Sequence, residues 1–159
     1  MQYKKQLSYW KIIMVLTIIL LVSLSVFSYY GLYTDKFYLL KIDNYIFPLL
    51  TLVHFLYLYV VWFKIKEREI ADPQMRNLEY SLYVIILVYC FKTIETLMIL
   101  MSYGDYDNHI IPNTFIPIGT TIFILYVFLL CLTFVSFKLR KVFVGGYDFK
   151  NMTDIDTWH

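Results

Sequence analysis

The sequence predicts an all-α integral membrane protein, a bundle of four transmembrane helices with both termini on the cytoplasmic side. Composition is the first reason: 60% of the residues are hydrophobic and 16% charged, and the mean hydropathy of +0.61 lies outside the range of ordinary soluble domains. The second is that the apolar residues fall in four long blocks, each close to the roughly 20 residues that cross a bilayer as a helix. The third is the placement of Lys and Arg, which gather before the first block, between the second and third, and after the fourth, as cytoplasmic basic residues do.

The first span, about 12–31, follows Lys4, Lys5 and Lys11. Its apolar run exceeds the ~7 to 15 residues of a signal-peptide core and offers no small-residue cleavage site, Ala71 being the only alanine, so it is expected to stay uncleaved. The connection from Leu32 to Asn44 mixes Phe37, Tyr38, Leu39, Leu40 and Ile42 with Asp35, Lys36, Lys41 and Asp43. That mixture predicts a short amphipathic element lying along the membrane surface.

The second span, about 45–63, ends before Lys64, Lys66 and Arg68. Asp72 followed by Pro73 is an N-cap with a first-turn proline, whose missing N–H costs nothing there. The third helix is therefore predicted to start ahead of its apolar block of about 80–101 and to run from Pro73 to Met101. Asn113 or Thr114 caps the fourth span, about 116–137, with Pro117 in its first turn. This helix is predicted to continue through Lys138, Arg140 and Lys141, which suit a helix C-terminus, until Gly145 and Gly146 stop it. Residues 1–145 thus form the bundle and residues 146–159 a cytoplasmic tail. Trp10 and Trp62 fall where aromatic rings anchor the inner interface, and Tyr29, Tyr30, Tyr33, Tyr103 and Tyr106 where they anchor the outer one.

Lys92 and Glu95 break the third apolar block. Ionisable groups at such depth cost about 2.5 to 3.5 kcal/mol each on insertion scales, so they are expected to face the bundle interior, and their i, i+3 spacing puts both on one helix face. Matching the spans by depth at about 1.5 Å of rise per residue sets His54 beside Lys92 near the midplane. Thr51, Thr96, Thr120 and Thr121 fall slightly further out. These residues are read as one buried polar layer fed by several helices. Such a layer acts as a proton relay if a carboxylate beside a histidine changes protonation; otherwise it is a neutralised ion pair that fixes helix packing.

Asp105, Asp107 and His109 have the alternation of a divalent-cation site, though a solvated turn explains the same composition more simply, and no metal is expected. No cofactor is expected either, since a bis-histidine haem needs two histidines at depth and only His54 is there. Cys90 and Cys131 show no CxxC spacing. The basic residues are juxtamembrane, which points to lipid headgroups as partners and not to nucleic acid.

No nucleotide loop, nucleophile elbow or HExxH motif is present. The leading expectation is a non-catalytic small membrane subunit or assembly partner, meeting other membrane subunits or copies of itself. The alternative is a small proton- or cation-coupled transporter built on Lys92, Glu95 and His54. In the tail, Tyr147, Phe149, Ile155 and Trp158 are apolar groups that a partner groove would bury.

Overall fold

Four apolar helices, each long enough to cross a membrane, make up most of the chain. The computed structural model describes residues 2–106 and 111–147. Helix α1 runs over Gln2–Phe27, α2 over Ile46–Glu67, α3 over Pro73–Met101 and α4 over Phe115–Phe143. Each helix packs on its chain neighbours and α4 closes the ring on α1, the up-and-down order that short connections impose.

Which face turns inward is set by spacing and not by polarity, because both faces are apolar. On α4 the buried positions include Phe115, Gly119, Ile122, Tyr126, Leu129, Thr133, Ser136 and Arg140, which alternate in steps of four and three. On α2 they include Phe47, Thr51, His54, Leu58, Val61 and Ile65, with the same alternation. A sustained seven-residue repeat keeps one narrow stripe against the neighbouring helices. Small groups let backbones approach. A Cβ placed on Gly119 would come within 2.7 Å of Leu100 Cδ2.

The Asp72 signal acts as expected, its side chain accepting from the Met75 N–H at 2.8 Å with Pro73 in the first turn. Lys64 bridges Glu69 at 2.6 Å and Asp72 at 2.7 Å across the α2–α3 turn. Burial opposes ionisation of Asp72, but Lys64 and the Met75 N–H outweigh it and hold the carboxyl below its ordinary range. Arg68 closes α2 in the left-handed conformation, φ 57°.

The structure gives three of the expected features their actual form. α1 ends at Phe27 and not at Gly31, because Ser28 leaves the helix to donate its hydroxyl to the carbonyls of Ser25 and Asn44. The first connection, expected as a short amphipathic element, contains no α-helix. It is a two-residue antiparallel ladder, β1 (Tyr30–Gly31) on β2 (Lys36–Phe37), turned through Asp35 at φ 54°, followed by a 3-10 turn at Ile42–Tyr45. Gly31 is needed there, since a Cβ would meet Tyr38 and Thr34 at 2.6 and 2.8 Å. Trp10, expected at the inner interface, packs with its side chain fully buried among the helices.

The bundle has two chemically different ends. The start of α1, the α2–α3 turn and the end of α4 share a basic end, and the ladder and the α3–α4 connection share a hairpin end.

Candidate functional site

At the hairpin end a cleft of about 530 Å³ opens between the first connection and α3. Lys92, Glu95 and Ile99 form its helical wall; Tyr30, Tyr33 and Tyr38 come from the hairpin, and Lys41, Asp43 and Asn44 from its rim. Lys92 Nζ lies 2.7 Å from Glu95 Oε2, with the two side chains 39% and 42% exposed. Lys41 and Asp43 make a second, looser pair at 3.9 Å. Tyr30 donates its hydroxyl to Asp35, a bond that pushes the phenol above its usual range.

The Lys92–Glu95 pair therefore exists, but it is not sealed inside the bundle as expected. The buried stripe of α3 passes through Tyr89 and Thr96, and Lys92 and Glu95 sit to one side of it, on the flank that looks into the cleft. Thr96 is on the stripe and donates to the Lys92 carbonyl at 2.8 Å.

The remaining members of the expected polar layer separate. His54 is fully buried, stacks on Tyr89 with ring centroids 5.9 Å apart and meets its hydroxyl through Nδ1 at 3.2 Å. Its Nε2 has no hydrogen-bond partner among the described residues. Thr51 is buried, donates to the Phe47 carbonyl at 3.0 Å and meets Ser25 at 3.4 Å. Phe47 packs on both Tyr89 and Tyr126, at 5.5 and 5.7 Å. This aromatic layer lies below the cleft, toward the middle of the bundle. Thr120 and Thr121 do not join it: they flank the stripe positions Gly119 and Ile122 on the exposed side, and the Thr121 hydroxyl is used by the Pro117 carbonyl.

A second constellation, which sequence reasoning did not single out, occupies the basic end. Glu79 of α3 and Arg140 of α4 form an ion pair at 2.5 Å with both side chains 2% exposed. Tyr83 donates to Glu79 Oε1 at 2.8 Å and Tyr147 to Oε2 at 2.6 Å. Arg140 also donates to the Gly145 carbonyl at 3.0 Å and lies 4.6 Å from the Tyr147 ring centroid. Burial, and then the Glu79 carboxylate it binds, push the Tyr147 hydroxyl well above its usual range. Tyr147 was expected to face a partner; here it is taken up by its own bundle, because the buried carboxylate needs its donor.

The signal that marks Glu79 and Arg140 is their register. Glu79 falls four residues after the buried Met75 and three before Leu82, and Arg140 four after Ser136. A charge on the inward stripe demands a countercharge, and one lies at the same end of the neighbouring helix.

Chemically, both carboxylate oxygens of Glu79 are engaged while the buried Nε of Arg140 has no hydrogen-bond partner among the described residues, and the pair acts as a clamp joining α3, α4 and the segment after α4. The cleft presents both charge signs side by side and can bind. Asp105 is exposed, while Asp107, His109, Phe149, Ile155 and Trp158 lie outside the described residues. Among the described residues no group of three or more His, Cys, Asp or Glu gathers to hold a metal ion. Cys90 and Cys131 are free thiols. In comparisons with family models, curated proteins and solved structures, no match to this chain was found.

Proposed function

We propose that the chain is a small non-catalytic subunit, or assembly partner, of a larger membrane complex, set in a plasma (inner) membrane with both termini on the cytoplasmic side. The orientation rests on the basic end, where Lys64, Lys66, Arg68, Lys138 and Lys141 gather against Lys36 and Lys41 at the other. The observation that carries the functional reading is the node on Glu79. By binding Tyr147 it holds the last described residue against the bundle, immediately before the stretch whose sequence carries Phe149, Ile155 and Trp158. Asp148, Asp154 and Asp156 among them oppose an anionic leaflet and favour a protein groove.

The chain ending at Tyr147 is expected to insert and fold like the full chain, yet to lose the proteins that copurify with it at fixed stoichiometry in mild detergent. If the shortened chain keeps all of its partners, docking through the tail is wrong.

A second reading, a small proton- or cation-coupled transporter, is favoured by one feature, the cleft that reaches Lys92 and Glu95. The aromatic layer of Phe47, Tyr89 and Tyr126 beneath it weighs against a continuous path.

A further inference from the structure

The cleft shares a wall with a second cavity. A groove of about 480 Å³ runs along the lateral face of α3 past Phe91, Ile94 and Met98, and Tyr33, Glu95 and Ile99 line both spaces. A two-signed polar chamber thus adjoins an apolar channel on the surface that faces lipid, with Glu95 at the boundary.

The charges in the chamber are only partly used. Lys92 carries three donors and Glu95 about four acceptor sites, and one hydrogen bond joins them. An added cation would satisfy Glu95 and strand Lys92; an added anion would do the reverse, at the cost of an unpaired charge at low dielectric. A ligand carrying both signs a few ångströms apart satisfies the two together. Lys41 and Asp43 repeat the two-signed pattern at the rim, so the chamber has no net charge, and the rings of Tyr30, Tyr33 and Tyr38 around it suit a quaternary or primary ammonium.

We propose that the paired cavities bind one zwitterionic phospholipid. Its phosphate lies between Lys92 and Lys41, its ammonium or choline group meets Glu95 and Asp43 among the tyrosine rings, and one acyl chain runs in the groove over Phe91, Ile94 and Met98. Charge complementarity selects this occupant over an anionic lipid, whose headgroup would leave Glu95 and Asp43 facing a like charge. This inference does not depend on the subunit reading, and either can fail alone.

The test uses the full chain, delipidated in a non-ionic detergent and titrated with phosphatidylcholine, phosphatidylglycerol or soluble phosphocholine while bound lipid is counted by native mass spectrometry. One equivalent of phosphatidylcholine is expected to be retained, at least about tenfold more tightly than phosphatidylglycerol. Glu95→Gln is expected to remove that preference. Met98→Trp fills the groove from an exposed position and leaves the chamber untouched, so it is expected to weaken phosphatidylcholine and spare phosphocholine; this second variant keeps the test valid if the Glu95 change misfolds. Equal retention of the two lipids, or an unchanged preference in Glu95→Gln, would mean an unselective lipid shell and overturn the proposal. Phosphocholine binding as tightly as the lipid, with Met98→Trp silent, would replace the lipid by a soluble zwitterion and also overturn it.

Discussion

At the scale of single residues, the two ion pairs of this bundle differ in what surrounds them. Glu79 and Arg140 are sealed and further bonded by tyrosine hydroxyls and a carbonyl, whereas Lys92 and Glu95 keep about two-fifths of their side-chain surface open to a cleft. Removing one partner of a buried pair leaves the other uncompensated and typically costs about 3–5 kcal/mol, while replacing both by apolar groups is often close to neutral. Glu79→Leu and Arg140→Met are therefore each expected to lower the unfolding midpoint in detergent sharply, and the double variant to recover much of the loss. The same cycle on Lys92→Met and Glu95→Leu is expected to give a smaller coupling, because exposed pairs interact weakly. Additive losses at Glu79 and Arg140 would contradict the clamp. The Lys92–Glu95 pair was readable from sequence because lone charges stand out in an apolar run. Glu79 and Arg140 were harder to read because they lie near span ends, where charges are common, and only their register on the buried stripe distinguishes them.

At the scale of elements, helix existence and several helix ends were legible, since Asp72–Pro73 and Gly145 are chemical signals that act within one turn. Facing was not. In water the polar side of a helix identifies its apolar side, but here lipid and core are both apolar, and the inward stripe shows only as a seven-residue spacing. Thr120 and Thr121 were placed inside because they match Thr51 in depth, slightly outside Lys92 and His54, yet depth says nothing about rotation around the helix axis. Thr133→Leu, at a fully buried stripe position, is expected to overpack the contact of α4 with its neighbours by about 1–3 kcal/mol. Thr120→Leu, on the exposed face, is expected to be near neutral. Thermal unfolding of the two variants in one detergent checks the assignment, and equal losses would show that the stripe is misplaced.

At the scale of the whole molecule, a ring of four helices is fastened at one end by a buried clamp and open at the other as a two-signed cleft. The four-span outline followed from composition and block length. The hairpin that roofs the cleft did not, because its order comes from contacts far apart in the chain, Tyr33 with Ser102 and Tyr30 with Thr114. In the proposed reading this molecule meets another protein at its clamped end. Its mass when released from its own membrane in mild detergent, measured intact, decides between the two functional readings. A defined complex containing this chain and at least one different membrane protein at constant stoichiometry is the expected result. A particle made of this chain alone, which on reconstitution moves protons or cations and loses that flux with Glu95→Gln, would contradict it.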